Sequence, residues 1–187
     1  MDGVFSSRFN SSFDSGDSTR NCASLPTSMK IFLVSFLLIA AASQAQQLSA
    51  KKSLNLAVTK LIVAAAEKEA AKNGLAMFIT VIDDGGTVMM IERMDDAQIG
   101  SLDVSMGKAQ TALKFKRPSK AFEDMIEGGR NLVLGLPGVT PARGGIPLMA
   151  DGKVIGAIGV SGAMPQQDAQ VAQAGVAALE ALLQSGK

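Results

Sequence analysis

The sequence predicts an α+β domain, a mainly antiparallel sheet of four or five strands with helices packed against it. Three observations carry that expectation. Asp151-Gly152 separates the apolar runs 146–149 and 154–160, and a two-residue hairpin turn needs the positive φ that Gly adopts freely. Asp83-Asp84-Gly85-Gly86 separates the apolar runs 75–82 and 87–94 in the same way, with Asp to bond local backbone and Gly to turn it. Around these hairpins lie segments whose apolar residues recur at helical spacing, giving the order helix, hairpin, two helices, hairpin, helix.

Residues 1–28 are Ser-rich and polar without periodicity, and read as a disordered extension or a start-site artefact. Met29-Lys30, the apolar run 31–42 and Ser43-Gln44-Ala45 have the three parts of a secretory signal peptide, with cleavage expected after Ala45. That places a single domain at 46–187 in the periplasm or outside the cell. Either Met1 or Met29 is the start, and Met29 puts the charged region at the terminus. The apolar run falls short of the ~20 residues of a membrane-spanning helix, so no stable span is expected. Cys22 precedes this run, which leaves an exported domain without a disulfide.

In the first helix Leu54, Ala57, Val58, Leu61, Ile62 and Ala65 mark one face, and Asn73-Gly74 ends it. The run 75–82 is apolar on both faces, as in a buried strand. Met89, Met90 and Met94 read as core fillers. The second helix, 101–116, stops at Arg117-Pro118 because a residue before proline avoids helical backbone. Its stripe Leu102, Met106, Ala109 and Leu113 is expected to face the sheet, beside a mixed stripe of Val104, Lys108, Thr111 and Phe115. Lys108 and Thr111, three apart, either offer a cation and a hydroxyl to one ligand or are a solvated Lys and a Thr bonded to its own helix. A short helix follows at 119–127, then a break at Gly128-Gly129-Arg130, a short apolar segment at 131–136 and a loop into Arg143-Gly144-Gly145. That loop is either a carboxylate site made of Arg143 and free backbone N–H groups or plain turn geometry. Gly156 and Gly159 inside a strand imply that another backbone or a ligand comes close. In the last helix Pro165 suits the first turn, Asp168 complements the dipole, and Val171, Ala174, Ala178 and Leu182 share a face.

Charge is nearly balanced, 18 Lys and Arg against 17 Asp and Glu, with no like-charge run, which argues against a nucleic-acid surface. The chain has no His, Trp or Tyr, and no Cys beyond residue 22. That excludes Ser-His-Asp and Cys-His catalysis and thiolate or imidazole zinc sites in the domain. For acid–base work Asp83, Asp84, Lys108 and Asp168 remain as candidates.

The segments 144–147 (GGIP), 151–163 (DGKVIGAIGVSGA), 167–175 (QDAQVAQAG), 81–97 (VIDDGGTVMMIERMDDA) and 107–113 (GKAQTAL) resemble the GlcG/HbpS-like family of haem-binding or haem-degrading domains. The resemblance spans 48–183, and it implies a profilin-like or GAF-like sandwich that forms homo-oligomers. It further implies haem or a related tetrapyrrole as ligand, with Thr111 at or near the iron and Met106 close by. Lys108 or Arg143, with Gly144 and Gly145, would then meet the propionates. Without His or Tyr, axial ligation would be weak, which suits a sensor or buffer better than an electron-transfer site. Three classes of function stay open. They are a binding module for such a ligand, an enzyme acting on a small oxidised metabolite of the glycolate or aromatic-degradation type, and an oligomeric partner of a sensor protein that needs no ligand.

Overall fold

Two hairpins build the sheet in the computed structural model, which describes residues 50–186. The expected extension and signal peptide lie outside the described residues. Strands β1 (Phe78–Asp83) and β2 (Val88–Arg93) form the first hairpin, β3 (Gly145–Ala150) and β4 (Lys153–Ser161) the second. Asp151 and Gly152 have φ of 49° and 72°, so the second turn is of the primed type that Asp-Gly favours. In the first turn the Asp83 carboxylate accepts the backbone N–H groups of Gly85 at 2.9 Å and Thr87 at 2.8 Å, which fixes the loop. β1 and β4 pair along the middle, Phe78 opposite Ser161 and Asp83 opposite Gly156. The result is a four-stranded sheet in the order β2-β1-β4-β3, antiparallel throughout.

Side chains alternate across the strands, so the sheet has two covered faces. On one, Ile79, Val81, Ile158 and Val160 pack with Ile62, Val63 and Ala66 of α1 (Leu56–Lys72) and with Val171, Ala172 and Val176 of α4 (Pro165–Ser185). Met89, Met90 and Met94 pack against this cluster, as their flexibility suggests. On the other, Ile82 and Ala157 meet Ala109 and Ala112 of α2 (Ser101–Phe115). A short α3 (Lys120–Glu127) and a 3-10 turn (Asn131–Gly135) lead from α2 back to β3.

The helix faces differ in part from those the sequence suggests. α1 buries Thr59, Ile62, Val63, Ala66 and Ala70, while Leu61 and Ala57 are exposed. Apolar residues surround that helix, so periodicity could not choose the face. α4 buries Val171 as expected, but with Ala172, Gly175, Val176 and Leu179 rather than Leu182. α2 buries Ser101, Ser105, Lys108, Ala109, Thr111 and Ala112, and leaves Leu102, Met106 and Leu113 half-buried at its flanks. The cause is a glycine pair. Gly145 and Gly159 are cross-strand neighbours, and a Cβ on either would overlap a carbonyl oxygen of α2, that of Lys108 or of Ser105. The helix therefore rests its backbone on the sheet, and only small side chains fit between. One polar pair is enclosed there, the Thr80 and Ser105 hydroxyls at 2.8 Å.

Candidate functional site

Lys108 leaves α2 beside the glycine pair and reaches the end of β4 and the start of α4. Its ammonium donates to Asp168 Oδ2 at 2.6 Å and to the Val160 carbonyl at 3.0 Å, and both charged side chains are only 2% exposed. The other Asp168 oxygen accepts the Ala163 N–H at 3.1 Å. Gly144, at φ 120°, closes over the pair, where a Cβ would stand 2.7 Å from the Val160 oxygen and 3.2 Å from Lys108 Nζ. Burial raises the Asp168 carboxyl above its ordinary value, against the pull of the Lys108 ammonium and the N–H groups of Ala163 and Gly162. The pair thus ties the two helical layers together through the end of β4.

In this structure the Lys108 ammonium, expected either to meet a ligand or to be solvated, is held inside by the protein's own carboxylate. Arg143 is similarly engaged. Its Nε donates to Glu123 Oε1 at 2.8 Å, its backbone N–H donates to Glu123 Oε2 at 2.6 Å, and Asp124 and Glu127 lie within 4 Å. The Gly145 N–H donates to Ser119 Oγ at 2.9 Å. The Arg143-Gly144-Gly145 segment therefore already holds a carboxylate, that of Glu123, and the N–H groups of Arg143 and Gly145 have internal acceptors.

Thr111 is buried, and its hydroxyl donates to the Gly107 carbonyl at 2.8 Å while accepting the Thr140 N–H at 2.8 Å. The loop at 138–140 lies so close on α2 that a Cβ at Gly107 would overlap Thr140 Oγ1. Met106 sits at the margin of the α2 cluster with its side chain half-buried. The four acid–base candidates do not converge. Asp83 belongs to its turn, Asp84 pairs with Lys51 at 2.6 Å, and only Lys108 and Asp168 meet. Gly156, opposite Asp83, stands four residues from Val160, roughly 13 Å along the strand.

The 3-10 segment is where sequence reading missed a feature. Val133 turns inward, but Leu132 is 88% exposed, Leu134 64% and Leu136 40%. Leu132, Val133 and Leu136, with Gly129, Arg130 and Asn131, line an apolar groove of about 370 Å³, and Leu134 lies outside that lining. The legible signal was three leucines at alternate positions between Gly128-Gly129 and Pro137-Gly138. That run is too short for a helix and has no strand partner to hide its side chains. Among the described residues no group of His, Cys, Asp and Glu side chains is placed to hold a metal ion, and no helix is long and apolar enough to cross a membrane.

Residues 54–177 match the family described as haem degrading protein HbpS-like. Protein GlcG of Escherichia coli K12 is 40% identical over 111 residues, covering 59% of this chain and 83% of GlcG. The crystal structure of Klebsiella pneumoniae ORFY superposes with a TM-score of 0.68 at 31% identity, covering 74% of this chain and 99% of that one. The PduOC–haem complex gives a TM-score of 0.63 at 30% identity, covering 68% and 95%. The match runs from Leu54 through more than half of α4 and takes in both hairpins, the glycine pair and the Lys108–Asp168 bridge, so the chain belongs to the HbpS-like family.

Proposed function

We propose that this protein binds haem or a related tetrapyrrole on the apolar ledge at 129–136, in a sensing or buffering role. The observation that carries the reading is the exposure of Leu132 and Leu134 beside a groove of about 370 Å³ with Arg130 at its rim. A flat apolar ring bearing carboxylates matches such a surface. Covering each leucine contributes about 1.5–3 kcal/mol, and Arg130, which has no acidic partner among the described residues, offers a fork for a carboxylate. Support comes from the family and from the structural likeness to the PduOC–haem complex.

Haem, when bound, would supply a redox-active iron, and this chain offers it only weak donors, none of which lines the groove itself. His and Tyr are absent from the sequence, which leaves Met106 and Thr111 on α2. The Thr111 oxygen is already bonded to Thr140, so its contact with iron requires that the 138–140 loop release it. Titration of the purified protein with haemin, followed by absorbance, tests the reading. A saturable spectrum is expected, weakened about tenfold or more by Leu132→Asp and less by Arg130→Ala. Thr111→Ala alters the spectrum if Thr111 reaches the iron. No saturable spectrum, or full binding by Leu132→Asp, overturns the ledge as the site.

The same proposal includes export. The segment 29–45 is read as a leader, so the protein in the envelope or medium should begin near Gln46. N-terminal sequencing that finds residues 31–42 retained in a cytoplasmic protein contradicts this.

A further inference from the structure

Two adjoining grooves lie at the end of the sheet where both hairpins turn. One, of about 370 Å³, is bordered by Lys51, Asp84, Leu113, Lys114 and Lys116, and the other, of about 480 Å³, by Lys51, Lys116, Met149, Lys153 and Val154. Lys51, Lys116 and Val154 belong to both. Four of the domain's lysines therefore border a concave surface whose floor is apolar, at Leu113, Val154 and Met149, with the Lys114 ammonium on the side next to Gly138. Their charges are not equally engaged. Lys51 is paired with Asp84 at 2.6 Å, and Lys153 donates to the Ala50 carbonyl at 2.9 Å. Lys114 and Lys116 are exposed and have no acidic partner among the described residues.

The backbone adds a second, independent observation. Lys116 closes α2 in the left-handed conformation, φ 51° and ψ 37°, a position that glycine takes without steric penalty. A cation near the negative end of a helix is favourable, which accounts for Lys114. It does not account for placing a long, β-substituted residue at the strained position, where the side chain is thereby aimed from the helix end into both grooves. Strain of this kind collects where a side chain has a task.

We propose that this double groove is a binding site for a small organic polyanion, a molecule carrying two or more carboxylates or phosphates on a short apolar body. Lys114 and Lys116 supply the uncompensated charge, Lys51 is shared between Asp84 and the ligand, and Leu113, Val154 and Met149 receive the apolar part. The volumes suit a small molecule rather than a macromolecular surface. The site is separate from the leucine ledge and does not rest on the tetrapyrrole reading.

Calorimetric titration of the purified protein with citrate and with tripolyphosphate tests the inference, because one probe offers carboxylates and the other phosphates. At least one should bind saturably with one-to-one stoichiometry. Lys114→Glu/Lys116→Glu should weaken that binding tenfold or more, whereas Lys60→Glu/Lys68→Glu, the same charge change at exposed positions on α1, should leave it within twofold. If the first double variant does not fold, Lys114→Gln/Lys116→Asn, which tolerates the positive φ, should still weaken binding severalfold. Absence of saturation with both probes overturns the site, as does equal loss in the α1 control. Haemin affinity should be unchanged in the Lys114/Lys116 variants. Loss of haemin binding there without binding of either anion would make the groove part of the tetrapyrrole site and the inference wrong.

Discussion

At the scale of single residues, the Lys108–Asp168 pair is the feature on which most depends. Two charges that are almost wholly buried cost several kcal/mol to desolvate, and the geometry compensates with a 2.6 Å ion pair, the Val160 carbonyl and the Ala163 N–H. Lys108→Met should therefore lower the stability of the folded domain by about 3–5 kcal/mol, because it strands a buried carboxylate. Denaturant unfolding measures this directly. Asp168 also has a signed pH dependence. Burial holds its folded-state pKa above the unfolded value, so the folded state binds the proton more tightly. Stability from this group is then greatest below the ordinary carboxylate value and declines as pH rises towards the raised one. The margin of wild type over Asp168→Asn should shrink between those two values, and a margin that grows with pH in that window contradicts the assignment. The sequence placed Asp168 in a helix first turn and Lys108 on a helix, both correctly. It could not show that they meet, because they are 60 residues apart and joined only by the end of β4.

At the scale of elements, the hairpins were legible because their turns need particular residues, and Asp151 and Gly152 take the positive φ that the pair implies. Gly156 and Gly159 also announced a close approach, though not of which backbone. The partner at Gly159 is α2, and that contact is what upset the helix-face assignment. Hydrophobic periodicity assumes that the largest apolar side chains face the core, whereas a helix lying backbone-down on glycines buries Ser105 and Ala112 along with the expected Ala109. Gly159→Ala should cost about 1–3 kcal/mol, since its Cβ would overlap the Ser105 oxygen and stand 2.6 Å from the Ala109 nitrogen. Gly100→Ala, with open space around the new methyl, should stay within about 0.5 kcal/mol of wild type. Comparable thermal unfolding of the two variants would show that the close packing of α2 is not needed. The 3-10 ledge was the least legible element, because Leu132 and Leu134 belong to a run that the rules of helix and strand both leave unassigned.

At the scale of the whole molecule, exposed apolar residues occur beyond the ledge. Leu56 and Leu61 on α1 are each 54% exposed and Ile99 before α2 is 80% exposed, more than a solitary domain gains from. This supports the proposal of a homo-oligomer that covers α1. Light scattering should give a mass several times that of the monomer at micromolar concentration, reduced by Leu56→Lys/Leu61→Lys, and a monomeric wild type overturns it. The leucines of the ledge lie on a different element, so the oligomer and the ligand need not compete. The fold class followed from sequence because local turn chemistry and periodicity dictate it. The internal partners of Lys108 and Arg143 did not, because Asp168 and Glu123 are distant in sequence and only the fold brings each pair together.

Amide hydrogen exchange of the protein with and without haemin bears most directly on the ledge as a tetrapyrrole site. Protection that appears on haemin addition at 129–138, and is lost in Leu132→Asp, is the predicted result. Protection confined to other segments, or none at saturating haemin, would contradict it.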